Sequence, residues 1–280
     1  MSEPRITPLH AVRLCDGPPA RRPLVLLHGF TGDASTMVRL AEAIAEDGPS
    51  RAIWAVELVG HGRSPAPDDP AAWTVPAHAA SVAAAMAARG VERAVWLGYS
   101  LGGRVALTLA ASSAQLVDAL VLVGASPGLA DAAERAARRA ADEALAAAVM
   151  RDGVPAFVER WMAHPLFQTQ ARLGAEHLAA MRAQRLGNRA PALAASLRGA
   201  GTGAMAPLWD ALPRVQAPAL LVAGALDAKF RAVADAMAAR LPRAVRADVA
   251  GSGHAVPVEA PAGLAAAVVR FLAGAHGRVE

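Results

Sequence analysis

The sequence predicts an α/β protein built on a mostly parallel, doubly wound sheet, and three observations predict it. Short apolar runs without polar alternation recur along the chain, the pattern of strands covered on both faces. Helical patterns separate most of these runs, so strand and helix alternate. The length, 280 residues, suits one large domain, and one interval without strand runs reads as an insert within it.

Taken in order, the strand runs are Leu24–Leu27, Ala52–Val56, Ala94–Leu97, Ala119–Val123 and Ala219–Ala223, with a weaker sixth at Val245–Val249. A helix is predicted over Ala34–Ala45, after the first run. A second over Val75–Ala88 has Thr74 as N-cap and Pro76 in its first turn. Gly103–Ala111 follows the third run, and Phe230–Leu241 and Gly263–Leu272 close the chain. Residues 131–206 break the alternation. They are helical in composition, carry Pro155, Pro165 and Pro191, and contain no strand run. This segment is expected to lie as a helical cap over the C-terminal edge of the sheet, where open α/β folds bind ligands.

Composition excludes several function classes. Hydrophobic residues reach 54% with only 4% aromatic, so alanine dominates and Ala-rich helices are expected. A net charge of +4 comes almost wholly from arginine, Lys229 being the only lysine. The arginines are scattered, apart from pairs such as Arg21–Arg22 and Arg138–Arg139, and are not interleaved with aromatics as in a nucleic-acid binder. Cys15 stands alone, so no intrachain disulfide forms, in keeping with a reducing compartment. No apolar run approaches the roughly 18 residues of a membrane span, and no signal-peptide core follows the start, so a cytoplasmic enzyme is expected. His and Asp do not cluster at metal-ligand spacing, and no dinucleotide fingerprint follows the first strand, so neither metal nor cofactor is expected.

The strongest local signal is Gly98-Tyr99-Ser100-Leu101-Gly102-Gly103. An apolar strand precedes it and a helical pattern follows, the setting of a G-x-S-x-G nucleophile elbow. Only glycine fits beside a serine forced into so sharp a strand-to-helix turn. A serine needs a histidine to take its proton, and in this arrangement the order is serine, acid, histidine. His254, in the loop after the sixth strand, and Asp227, at the C-terminal end of the fifth, fill those places. Asp210 and Asp235 are rivals that follow no strand. The loop His28-Gly29-Phe30 follows the first strand, so the backbone N–H groups of Phe30 and Leu101 are the expected oxyanion donors. His28 is expected to brace its loop, and Gly60–Ser64 to form a structural turn near the pocket. These features predict the α/β-hydrolase fold.

Several stretches together go beyond the fold: His28–Gly32, Gly60–Ser64, Gly98–Leu107, Ser126–Leu129, Trp161–Phe167, Gly201–Gly203 with Pro207–Trp209, and Asp227–Phe230. Through them the chain resembles the 2-succinyl-6-hydroxy-2,4-cyclohexadiene-1-carboxylate synthases of menaquinone biosynthesis, over about residues 24–262. The resemblance implies a carbon–oxygen lyase that removes a proton from a cyclohexene substrate and expels pyruvate, with the triad acting as a base. It also implies a polycarboxylate substrate met by Tyr99, Arg104, Arg138, Trp161 and Arg182, arginine being suited to bidentate carboxylate binding. For Arg104 a structural salt bridge is the alternative. The family often carries a tyrosine beside Trp161, where this chain has Met162. An ester or thioester hydrolase would share every triad residue; a carbon–carbon hydrolase and a non-catalytic receptor are further alternatives. A monomer or small homo-oligomer is expected.

Overall fold

A computed structural model describes residues 5–276. Its strands are β1 (Ala11–Cys15), β2 (Leu24–Leu27), β3 (Ile53–Val56), β4 (Ala94–Tyr99), β5 (Val117–Val123), β6 (Ala219–Gly224) and β7 (Ala244–Val249). They form one sheet in the order β1-β3-β2-β4-β5-β6-β7. Every neighbouring pair is parallel except β1 with β3. The helices are α1 (Val38–Asp47), α2 (Val75–Ala87), α3 (Leu101–Ser112), α4 (Ala132–Met162), α5 (Ala175–Leu186), α6 (Ala190–Ala200), α7 (Ala228–Ala238), α8 (Val256–Glu259) and α9 (Pro261–His276).

The two-residue period of the strands divides the core into two layers. Val25, Leu27 and Trp96 face α2 and α3 on one side, with Val82, Met86 and Val105 packed against them. Leu24, Leu26, Val95 and Leu97 face α1 and α9 on the other, meeting Leu40, Ile44, Leu264 and Val268. All four residues of β2 are fully buried, which is why the run carries no polar alternation.

The sequence reading omitted β1. It is an edge strand, partly exposed along its length, with Arg13 in its middle and a register shift before Cys15. A strand covered on one side only offers no apolar run to detect. The first predicted helix starts late as an α-helix: Ala34–Met37 is a 3-10 turn capped by the Asp33 carboxylate, and α1 proper begins at Val38. Helix α3 starts two residues earlier than predicted, immediately after Ser100, and that shift bears on the chemistry below.

Helices α4, α5 and α6 stand between β5 and β6. Helix α4 is two helices joined at Gly153, which takes φ 79° two residues before Pro155. Val149, Phe157, Val158 and Leu193 give this segment a small core of its own. Among the described residues no helix is long and apolar enough to cross a membrane, and no group of His, Cys, Asp and Glu could hold a metal ion.

Candidate active site

The elbow is built by close backbone approach. A Cβ on Gly98 would lie 2.2 Å from the Gly102 carbonyl oxygen, and one on Gly102 would lie 2.3 Å from the Leu27 oxygen. Neither position admits a side chain, so β4 can turn straight into α3. Ser100 takes φ 50° at the turn, and its N–H donates to the Val123 carbonyl at 2.9 Å, tying the strained residue to β5. With α3 opening at Leu101, the serine hydroxyl sits at a helix N-terminus, whose first N–H groups have no acceptor within the helix.

His254 comes from the loop after β7. Its Nε2 lies 3.2 Å from Ser100 Oγ, and its Nδ1 lies 3.0 Å from Asp227 Oδ2. Asp227 caps α7, its Oδ1 accepting from Phe230 N–H at 3.1 Å. Burial opposes its ionisation, but the bonds from His254 and Phe230 N–H outweigh burial and hold the carboxyl below the usual carboxylate range. The buried acid is therefore an anion that fixes Nδ1 as the protonated nitrogen and leaves Nε2 free to accept from the serine. The sequence places these three side chains 27 to 154 residues apart; the fold brings them into one hydrogen-bonded line.

Glu259, which the sequence reading passed over, holds the histidine loop. Its two carboxylate oxygens accept from Gly253 N–H at 2.8 Å and Ala255 N–H at 3.1 Å, on either side of His254. Gly124 gives the imidazole room: it has φ 54°, and a Cβ there would come within 3.0 Å of His254 Cε1. On the other side of the serine, a Cβ on Gly29 would lie 2.7 Å from the Tyr99 ring, so the loop carrying Phe30 lies against the elbow. His28 braces that loop: Nδ1–H donates to Gly29 O at 2.8 Å and Nε2 accepts from Leu58 N–H at 3.0 Å. Burial keeps its pKa below the ordinary value, as the bond accepted at Nε2 requires.

Ser100 and His254 open into a cavity of about 680 Å³, whose walls include Phe30, Leu101, Tyr99, Arg104, Arg138 and Trp161. The walls come from both the sheet edge and the helices between β5 and β6.

The alpha/beta hydrolase fold family matches residues 22–261. A Bacillus subtilis (strain 168) protein, provisionally named 2-succinyl-6-hydroxy-2,4-cyclohexadiene-1-carboxylate synthase, is 34% identical over 92% of each chain. The Salmonella agona (strain SL483) protein of that name is 33% identical over 94% of this chain and 98% of its own. The chain belongs to this synthase family. Among solved structures, MenH from S. aureus superposes with a TM-score of 0.89 at 29% identity, covering 95% of this chain and 99% of its own. A thermophilic esterase from Thermogutta terrifontis superposes at 0.82 with 23% identity over 96% and 94% of the two chains, a likeness of fold alone.

Four of the five side chains expected to meet substrate line the cavity: Tyr99, Arg104, Arg138 and Trp161. Arg138 uses its Nε on Asp142, at 2.8 Å, which leaves its terminal amino groups for a ligand; Asp142 is almost fully buried. Arg104 donates to the Ala200 carbonyl and has no carboxylate partner within ion-pair distance among the described residues, so the salt-bridge alternative is not what the structure holds. Burial, then the nearby Arg138, push its pKa down to about 10, with Asp142 opposing; the guanidinium stays charged at neutral pH. Burial pushes the Tyr99 phenol up, so its hydroxyl remains a donor. Trp161 meets Phe30 edge-on at 5.3 Å and stacks on Phe157 at 5.6 Å. Met162 packs into the small core of the insert.

Arg182 is the correction. It is not in the cavity wall; it pairs with Glu159 at 2.6 Å with about half of its side chain exposed. Arg185, three residues on, is 8% exposed, with Nη1 lacking any partner among the described residues. Its guanidinium lies 5.8 Å from the Phe167 ring centre. It lines a neighbouring cavity of about 440 Å³ that shares Phe30, Tyr99, Trp161 and Phe167 with the first. Positions 182 and 185 lie on adjacent rows of one helix, and a polar helix gives no hydrophobic stripe to say which row faces inward.

Proposed function

We propose that this protein converts 2-succinyl-5-enolpyruvyl-6-hydroxy-3-cyclohexene-1-carboxylate to 2-succinyl-6-hydroxy-2,4-cyclohexadiene-1-carboxylate and pyruvate. The relatives so named, matching over more than nine-tenths of this chain, support the reaction. The observation that carries it is an intact triad opening onto a cavity walled by Arg104 and Arg138. The two ring formulae fix the chemistry. The substrate double bond lies between C3 and C4; the product has C2=C3 and C4=C5. The ring must therefore lose hydrogen from C2, beside the succinyl ketone, and oxygen from C5: a 1,4-elimination.

Each residue has a place in that sequence. The Ser100 oxygen takes the C2 proton as its own passes to His254 Nε2, and Asp227 stabilises the imidazolium. The electron pair moves onto the ketone oxygen, where Phe30 and Leu101 N–H groups hold the enolate. The enolate then collapses to C2=C3, C3=C4 shifts to C4=C5, and the C5–O bond breaks. The leaving enolpyruvate takes the proton back and tautomerises to pyruvate. No acyl-enzyme is needed. Arg104, Arg138 and Arg185 bind the carboxylates, and Tyr99 and Trp161 orient the ring. We place the reaction in the cytoplasm, run by a monomer or small homo-oligomer.

An ester or thioester hydrolase is the second reading, favoured by the same triad and donors, since the two chemistries share an oxyanion. Supplying the enolpyruvyl substrate and following pyruvate, beside a panel of nitrophenyl esters, separates them. Pyruvate release well above the ester rates is the expected result; fast ester cleavage without pyruvate sinks the lyase.

A further inference from the structure

The loop that carries Phe30 is strained, and the insert is what restrains it. Gly29 to Gly32 form a tight turn closed by Gly32 N–H on the Gly29 carbonyl at 3.0 Å, and Thr31, its third residue, has φ 71°. That position favours glycine, and for a β-branched residue it is an outlier that persists only where the surroundings over-determine it. Two carboxamides do so. Gln184 Nε2, from the last turn of α5, donates to the Thr31 carbonyl at 3.0 Å, and Asn188 Nδ2, just past that helix, donates to the same oxygen at 3.0 Å. Gln184 also donates to Asp33 Oδ2 at 3.0 Å, and Asn188 to the Arg185 carbonyl at 2.9 Å. Asp33 in turn accepts from Ser35 N–H at 2.9 Å. The amide pair thus ties the far side of the turn to α5, while the near side rests on Tyr99 and Ser100 through Gly29.

We propose that Gln184 and Asn188 are positioning residues that keep the Phe30 N–H aimed at the reacting oxygen, so that the oxyanion hole is complete only when α5 is docked on the loop. The inference rests on the donor role given to Phe30 above and deepens it. Without the two donors only the Gly32 N–H bond to the Gly29 carbonyl holds the peptide after Thr31, Thr31 leaves its left-handed conformation, and the Phe30 N–H moves with the turn. Because an oxyanion donor acts on the transition state rather than on bound substrate, its misplacement lowers kcat and spares KM.

The test is the Gln184→Ala, Asn188→Ala double variant of the full chain, assayed for pyruvate release and for nitrophenyl ester cleavage. Thermal unfolding is followed alongside, with Gln184→Glu as a variant that preserves size but puts an acceptor where a donor stood. A fall in kcat of about 100-fold, the scale of losing one oxyanion donor, with KM little changed, is expected for both alanine and glutamate variants. Adding Thr31→Gly to the double variant should restore part of kcat, since glycine holds that φ without help. Unchanged kcat, a change confined to KM, or a loss that Thr31→Gly does not relieve overturns the proposal. An oxyanion hole serves elimination and ester cleavage alike, so if the chain proves to be an esterase the kcat loss on esters still reads the clamp.

Discussion

At Ser100 the backbone does part of the work that the side chain is credited with. Its φ of 50° points the hydroxyl off the sheet edge toward His254, and the N–H to Val123 bond keeps it there. Ser100→Ala and His254→Ala should each lower kcat by about 10²–10⁴, the span of general-base catalysis, with unfolding midpoints within a few degrees of the parent; steady-state pyruvate release and thermal melts check both. The arginines divide differently. Arg185→Met should raise KM by about tenfold or more, the loss of a charge-assisted hydrogen bond, whereas Arg182→Met, which removes only an exposed ion pair with Glu159, should leave KM within about twofold. Parallel kinetics on the two variants decide it, and equal effects would mean that the burial of Arg185 has no bearing on substrate. The triad was readable from sequence because each member sits beside a strand end with its own local signature. The choice between Arg182 and Arg185 was not, because it depends on how a polar helix is rolled against the sheet, and no residue in Ala175–Leu186 states that alone.

Elements explain why the site holds its shape. β4, the elbow and α3 form one unit in which glycine replaces side chains that the backbone has no room for. Gly98→Ala would push a methyl group to 2.2 Å from the Gly102 oxygen, so the turn must open. It should cost about 1–3 kcal/mol, as overpacking does, and lower kcat with it; urea unfolding and pyruvate release measure the two. The buried parallel strands were legible because burial on both faces removes polar alternation. β1 was illegible for the opposite reason: it lies at the edge, with Arg13 paired to Asp16 at 3.0 Å near its end. The 131–206 segment announced its helices by composition, and its kink at Gly153 and Pro155 by residue type. Its contacts with the Thr31 carbonyl, made by two amides more than 150 residues away, left no trace that a single sequence could show.

The molecule as a whole has a pH dependence that follows from buried histidines outside the triad. His28, His61 and His78 are all buried, and burial holds each below its ordinary pKa; for His78, with Arg104 adding to the effect, the value falls to about 3. Neither ring nitrogen of His78 has a partner among the described residues. By linkage, below about pH 6.5 the unfolded chain takes up protons that the folded chain refuses, so stability is lost as pH falls; for His78 the loss runs from about pH 6.5 toward 3 at about 1.4 kcal/mol per pH unit, and His28 and His61 act in the same direction. Asp227, whose pKa is depressed, loses its stabilising charge only below its unfolded value of 3.8. Urea denaturation should therefore show a plateau from pH 8 to about 6.5 and a steady decline from there to about pH 4, and His78→Leu should flatten that decline; an identical slope in the variant would assign the acid sensitivity elsewhere.

What joins these scales is the proposal that one serine, held by strain beside an imidazole, removes hydrogen from carbon. The direct measurement is the rate of pyruvate release with the substrate deuterated at C2, with mass spectrometry of the enzyme quenched during turnover. A slower rate with deuterium and no added mass on the protein is the predicted result. Equal rates for the two isotopes, together with an adduct on Ser100, would show a nucleophile forming a covalent intermediate and contradict the account.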